Sequence, residues 1–397
     1  MTKDVVGIVK RINSTWPRVR LSHLSLAFKL LVSDRSKFTS LLLGITFAVF
    51  LMVQMTSMFA GVLKRASATI INVGAPIWVM DPAVSTVGSA IPMPDYVVEY
   101  ARSIEGVKFA VPMYSGGGMV KLPSGDYQAV TVLGLDDSSL YGAPRLTKGQ
   151  IADVYAENGF IVVADSEYAK LNRPPVGAEF ELDDHRAVIV GIAVVNSAGL
   201  FGVPTLYTTY SRARQYIPST RYTASFILIE PKSTQDVPEI KARLQELGYL
   251  ALTDQEFIER TSDYYKFKTG MGVNILLMTI ISFIVGLSLS GQTFYSFIQE
   301  NLDKFGALKA IGAKNHELVT IILFQSFVVS LMGLGLGVGY CTVVIGVARS
   351  VLPNYAAIIT PFNLGLAFVM VVIIAALSGY FGVRRVLKIE PFDIFRG

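Results

Sequence analysis

Charge is what this chain is short of. Asp, Glu, Lys and Arg make up 16% of its 397 residues, against 52% hydrophobic ones, where a soluble protein carries about 25% charged residues. The deficit excludes an ordinary water-soluble fold over the whole length and points to a membrane protein. Cysteine is scarcer still. Cys341 stands alone, so no intrachain disulfide forms and any part outside the membrane must fold on its hydrophobic core. The three histidines, His23, His185 and His316, lie far apart with no H-E-x-x-H and no cysteine pair, which argues against a dedicated zinc site. Neither a G-x-x-x-x-G-K-[ST] loop nor a G-x-S-x-G elbow occurs, so P-loop nucleotide hydrolysis and the serine-hydrolase elbow are excluded. The chain is expected to be non-catalytic, with no cofactor of its own. A net charge of +5 gives no reason to expect a nucleic-acid partner. The N-terminus is too polar for a signal-peptide core, so insertion is expected to rely on the first span.

What is present in quantity is long uncharged runs. They cover 26 residues from 38 to 63, 31 from 269 to 299, 31 from 318 to 348, and 34 from 350 to 383. About 20 apolar residues cross the hydrocarbon. The last run contains LPNYAAIITPF, whose prolines and Asn354 mark a loop, so its spanning part is placed at 362–383. Four transmembrane helices are expected: 38–63, 269–299, 318–347 and 362–383, with a short external loop at 348–361.

Lys and Arg set the orientation. The first 37 residues hold eight, the 298–317 link three and the tail after Val383 four. The positive-inside rule then places the tail 1–37, the link 300–317 and the tail 384–397 in the cytoplasm. Residues 64–268, with 19 basic and 23 acidic groups, lie outside, in the periplasm of a bacterial inner membrane. Within 21–34, Leu21, Leu24, Phe28 and Leu31 recur at helical spacing beside basic residues. This reads either as an amphipathic helix on the inner leaflet or as a plain topogenic flank.

The external segment reads as α+β. Strands are expected at 71–80, 107–114, 118–122, 127–133, 222–229 and 249–252, and helices at 96–104 and 235–247. Residues 254–268 are expected to be helical, either ending there or continuing into the second span. The Gly- and Pro-rich stretch 136–217 reads as an inserted, separable, mostly-β subdomain. Asp183-Asp184-His185 within it is either a cation site or a solvated turn.

The spans carry few polar groups and no Asp, Glu, Lys or Arg, so an ion-coupled energy source is disfavoured. Ser288, Gln292 and Ser296 share one face of the second span. Gly333, Gly335, Gly337 and Gly339 form two overlapping G-x-x-x-G pairs in the third, which suits close helix packing. Phe47, Phe50, Met52, Met55 and Met58 in the first span, with Ser288 and Gln292, mark either a path for an amphiphile or ordinary apolar packing.

The stretch 298–339 gathers what remains. Leu302, Phe305, Leu308 and Ile311 are spaced by three, giving an apolar ridge on a short helix that ends at Gly312. Such a ridge seeks either a partner's groove or the lipid interface. Phe305-Gly306-Ala307-Leu308-Lys309-Ala310-Ile311-Gly312-Ala313, followed by Leu323-Phe324-Gln325-Ser326 and the glycines to Gly339, resembles the MacB/FtsX-type (type VII) ABC transporter permeases. Phe305 stands where isoleucine is usual, and Gln325 where glutamate is frequent. The closing Ile389-Glu390-Pro391-Phe392-Asp393-Ile394 is similar to the family's C-terminal tail. With no nucleotide-binding loop, the chain looks most like the DevC-type subunits that work beside a separate ATPase.

The resemblance implies two permease copies as a homodimer and two copies of an ABC ATPase, which binds the ATP and magnesium. It implies coupling through Glu300, Leu302, Lys304, Phe305, Gly306, Leu308, Lys309, Ile311 and Gly312. It implies a porter-like outer domain with a Sabre-like insert, and mechanotransmission that exports a hydrophobic or amphiphilic substrate with a periplasmic adaptor and an outer-membrane channel. Lipoprotein release, haem export and non-transporting regulation of a periplasmic hydrolase remain open alternatives. The partners thus expected are the ATPase, a second permease copy, the adaptor and membrane lipids.

Overall fold

The structure, a computed structural model, describes residues 27–29, 31–32, 35–197, 199, 202–217, 223–352 and 355–387. The chain divides into two compact units. One comprises Met1–Ser57, Ile275–Gly346 and Ile359–Gly397, and the other Met58–Asn274 and Val347–Ile358.

The first unit is helical, and its long helices are α1 (Arg35–Ala66), α7 (Gly270–Glu300), α9 (Asn315–Val351) and α10 (Pro361–Leu387). All four are long and apolar enough to cross a membrane. Glycine sets how closely they pack, because without a hydrophobic drive between helices in lipid, contact area must come from close approach. A Cβ on Gly333 would lie 2.5 Å from Ile45, and one on Gly337 2.7 Å from Val49, so α9 presses on α1 along this pair. Gly335 and Gly339 face open space. Gly286 of α7 meets Ala48 at 2.4 Å, and Gly379 of α10 meets Leu323 at 2.8 Å. Gly337→Leu is therefore expected to cost about 1–3 kcal/mol by overpacking, read as a lower melting temperature in detergent, whereas Gly335→Leu leaves the melt unchanged.

The second unit is built on one ten-stranded sheet, with strands β1 (Ile77–Met80), β2 (Val107–Lys121), β3 (Tyr127–Leu135), β4 (Arg145–Gly149), β5 (Gly159–Val163), β6 (Glu179–Leu182), β7 (His185–Val194), β8 (Thr205–Thr209), β9 (Phe226–Pro231) and β10 (Leu250–Thr253). Its order is β10-β1-β9-β2-β3-β8-β5-β7-β4, with β6 pairing both β2 and β7. At one end, β1 is buried on both faces. Ile77 and Val79 pack under helices α3 (Tyr96–Ser103) and α5 (Val237–Glu246), in a core with Val97, Ile227, Ile240 and Leu244. Trp78 and Met80 point the other way, into a core shared with Phe226, Phe257, Ile161 and Tyr207. Alternation along one short strand thus serves two cores.

At the other end the sheet closes on itself. The pairings β2–β3, β3–β8, β8–β5, β5–β7, β7–β6 and β6–β2 run round a ring of six strands. Val120, Val132, Phe160, Leu182, Ile189 and Leu206 fill it. This corrects the expected insert. The barrel is mostly β, but it takes its walls from β2 and β3 as well as from 136–217, so its sequence limits are not those of a separable piece. The separate strand expected at 118–122 is the second half of β2. Residues 115–117, left between the two expected strands, continue β2: a Cβ on Gly116 would lie 2.8 Å from the Tyr114 ring, and one on Gly118 2.7 Å from Asp183. Gly116 and Gly118 mark close approach rather than a turn, while a Cβ on Gly117 would meet nothing within 4 Å.

Asp183 and Asp184, with φ of 44° and 64°, form the tight turn between β6 and β7. The Met119 N–H donates to the Asp183 carboxylate at 3.1 Å, and the Asp183 N–H donates to the Met119 carbonyl at 3.0 Å. His185 stacks on Tyr216 with ring centroids 4.6 Å apart. The turn reading describes this segment better than a cation site does.

Asp136 ends β3 by accepting hydrogen bonds from the N–H and hydroxyl groups of Ser138 and Ser139, at 2.5–3.2 Å. Burial works to raise its pKa, but these donors outweigh it and hold the carboxyl below its ordinary value. Such a group stabilises the fold above the ordinary carboxylate pKa, and the contribution is lost as pH falls through the lowered native value. Asp136→Asn is expected to cost about 1–2 kcal/mol at neutral pH and to flatten the acid limb of the stability curve. Fluorescence of the buried Trp78 in the full chain reports it.

Residues 254–268 are helical, as expected, but the helix does not continue into the second span. Helix α6 (Asp254–Asp263) passes into a π-helical turn over Tyr264–Lys268, and Thr269 is extended, with φ −109° and ψ 154°. Gly272 lies so close over the turn that a Cβ there would sit 2.0 Å from the Lys266 carbonyl oxygen.

Candidate coupling site

The link between α7 and α9 is a bend, a short helix and a cap. Asn301 supplies the bend between the helices, with φ −101° and ψ 14°. Its amide donates to the Phe297 carbonyl at 2.7 Å, and its side-chain oxygen accepts from Lys304 Nζ at 2.8 Å. The carbonyl of Asn301 also takes the N–H groups of Lys304 and Phe305, both at 3.1 Å. Helix α8 (Leu302–Ala310) follows and packs against α10. Gly312 closes it at φ 107°. The Ala313 N–H reaches the Leu308 carbonyl at 2.9 Å and the Gly312 N–H the Lys309 carbonyl at 3.1 Å, the paired bonds of a Schellman cap. Glu317 then accepts from the Lys314 N–H at 2.9 Å and starts α9. Glu300 makes an ion pair with Lys37 of α1.

The ridge foreseen at Leu302, Phe305, Leu308 and Ile311 does not act as one surface. Phe305 is 1% exposed and Ile311 86%. Gly306 is buried with Phe305, while Leu302 and Leu308 are half-buried. Asp303, Lys304, Ala307, Ala310 and Ile311 form the outward face, and Lys309 lies between the two faces. A spacing of three drifts round a helix that turns every 3.6 residues, so the row begins at the core and ends in the open. Phe305 anchors the helix, and Ile311 is what it offers.

Two arrangements in the helical unit have no clear signal in the sequence. Gln325, fully buried, donates its amide to the Ala27 carbonyl at 2.9 Å and so ties Ala27 to α9. Ser326 donates to the Ala375 carbonyl at 2.7 Å. Of the apolar face expected over 21–34, Leu31 is buried and Phe28 is 46% exposed; Leu21 and Leu24 lie outside the described residues, as does the tail motif at 389–394. Only the departure of Gln325 from the resembled pattern could have drawn attention to it.

The residues suggested for a substrate path do not line one surface. Met52 is buried, Phe50 packs on Tyr340 with centroids 4.9 Å apart, and Phe47 is half-exposed. Met55 is half-buried and Met58 exposed. Ser288 and Gln292 do share an exposed face of α7, away from the Gly286 contact. Ser288 and Gln292 are both exposed on α7, whereas the methionine row divides between core and surface.

Four membrane-length helices and a mixed α/β unit in one chain define a polytopic membrane protein. Residues 40–247 match the MacB-like periplasmic core domain and residues 275–391 the FtsX-like permease C-terminal domain. The chain belongs to the MacB/FtsX family of ABC transporter permeases. It is 22% identical over 423 aligned residues, 96% of its length, to the macrolide export ATP-binding/permease protein MacB of Bdellovibrio bacteriovorus. It is 22% identical over 189 residues, 44% of its length, to an uncharacterised ABC transporter permease of Methanocaldococcus jannaschii. The chain spans 62% and 46% of the lengths of these two relatives. The periplasmic region of MacB from Actinobacillus actinomycetemcomitans is similar over 48% of this chain and 93% of that one, with 13% identity and a TM-score of 0.35.

Proposed function

We propose that the chain is the permease subunit of an ABC exporter, driven by a separate ATPase that grips the outward face of α8. The observation that carries this reading is the link itself. Its helix is fixed to the membrane core by Phe305 and set off by the bend at Asn301, and it presents a nearly fully exposed Ile311 beside Asp303 and Lys304. A bare isoleucine at a tight turn between two spans suits a groove on a partner. The family supports the same reading, since the Bdellovibrio relative is named as an ATP-binding and permease protein for macrolide export.

In this mechanism both termini and the link lie in the cytoplasm, two permease copies pair, and nucleotide-driven closure of the ATPase moves α8 about the bend at Asn301. The motion reaches the outer unit and acts there on a hydrophobic or amphiphilic substrate, handed to a periplasmic adaptor and an outer-membrane channel. The exposed polar stripe at Ser288 and Gln292 suits the head of an amphiphile better than an all-apolar cargo. ATP and magnesium belong to the partner, and the chain's own residues transmit force. Co-purification of the tagged chain with an ABC ATPase, and stimulation of that ATPase in proteoliposomes by an amphiphilic macrolide, tests the proposal. An ATPase that binds yet is indifferent to amphiphiles would leave a regulator rather than an exporter.

A further inference from the structure

We propose that the outer unit carries a phospholipid-headgroup site where it meets the membrane, selective for a zwitterionic lipid with a primary ammonium. The site is a groove of about 470 Å³ lined by Ser85, Glu259, Arg260, Asp263, Phe267 and Lys268, among others. Most of these residues follow one face of α6 into the π-helical turn. Two features fix what occupies it.

The first is place. Lys268 stands two residues before Gly270, where α7 begins, and α7 is one of the four helices of membrane-spanning length. By chain connectivity one end of the groove, at Lys268, adjoins the start of a membrane-length helix. Phe267, its apolar end, is 75% exposed. In water that exposure would be unfavourable, whereas among headgroups an aromatic ring is at home. Tyr264 and Tyr265 stack edge-to-face beside it, with centroids 5.4 Å apart. Gly272, which admits no Cβ, holds the turn tightly against the start of α7.

The second is charge. Arg260 is fixed by donating to the Val84 and Pro82 carbonyls at 2.8 and 2.7 Å, and Lys268 stands further along the same wall. Both signs line one groove: Arg260 and Lys268 suit a phosphate, and Glu259 with Asp263 suits an ammonium. Asp263 is shared with Lys266 at 3.4 Å, and Glu256 is taken by Lys241 at 2.6 Å. Among the described residues Glu259 and Lys268 make no ion pair. With Glu256 and Asp263 held by lysines, Glu259 is the carboxylate left beside Arg260 and Lys268; a purely anionic headgroup would leave it without a cation, whereas phosphoethanolamine brings a phosphate for the two cations and an ammonium for Glu259. Its acyl chains would then run along Phe267 onto the apolar start of α7. This site does not depend on which substrate the chain moves.

The test uses the full-length protein in nanodiscs of equal parts phosphatidylethanolamine and phosphatidylglycerol, with retained lipid counted by native mass spectrometry. The wild type is expected to retain phosphatidylethanolamine about fivefold over phosphatidylglycerol. Glu259→Gln is expected to remove that preference, and Lys268→Gln to reduce retention of both lipids. Both side chains are exposed, so the fold should tolerate either change. Equal retention of the two lipids by the wild type, retention of neither, or an undiminished preference in Glu259→Gln would overturn the proposal.

Discussion

Ile311→Asp is expected to abolish co-purification with the ATPase while leaving the permease folded. The side chain is 86% exposed, so its loss removes little from the chain's own stability. At an interface, a buried apolar anchor replaced by a carboxylate typically costs at least 2–4 kcal/mol, about a 30- to 1000-fold loss of affinity. Phe305→Asp makes the informative contrast. Phe305 lies in the core of the helical unit, and burying a carboxylate there is expected to dislodge α8 and lower the melting temperature itself. A pull-down separates the two outcomes when read beside a thermal melt of each variant. Ile311→Asp that still binds the ATPase fully would remove the outward face of α8 from the mechanism. Leu308→Asp, half-buried, is expected to fall between.

The second large effect is expected at Gly61, near the end of α1. An added Cβ would lie 1.2 Å from the Ala356 carbonyl oxygen and 2.3 Å from its carbon. Both are backbone atoms, so no rotamer relieves the clash. The loop is also held by a hydrogen bond from Arg349 to the Ala357 carbonyl. Even Gly61→Ala is therefore expected to cost about 3 kcal/mol and to loosen the loop at 355–358, measured as a drop in melting temperature and faster amide exchange there. Gly74→Ala is a useful control: no atom lies within 4 Å of a Cβ there, and only its φ of 65° resists the change, a cost of about 1 kcal/mol. Gly61 lies in regular helix, so equal costs at the two sites would mean that the 355–358 loop yields to the added methyl.

The four spans were legible because hydrocarbon imposes a length and a composition that no tertiary contact alters. The end of α8 was legible at Gly312 for a related reason, since a left-handed cap is a local backbone demand. The family could be read from the 305–313 run and its spacing to the glycines of α9. Where the sequence misled, the cause lay in contacts between residues far apart in the chain. The strands expected at 107–114 and 118–122 are one strand, β2: around Gly116 and Gly118 the space a side chain would fill is taken by Tyr114 and by the Asp183 turn. The limits at 136 and 217 followed a change in composition, whereas the barrel is closed by pairings that reach back to β2.

For the link the division is sharp. Sequence alone determined that a short helix joins two membrane-length segments, carries four regularly spaced apolar residues and ends at a glycine. Hydropathy and cap geometry are local, and they are fixed wherever the helix packs. Only the tertiary structure decided which of the four faces inward. A row spaced by three winds slowly round the helix, and the packing of α8 on the core buries Phe305 and leaves Ile311 bare.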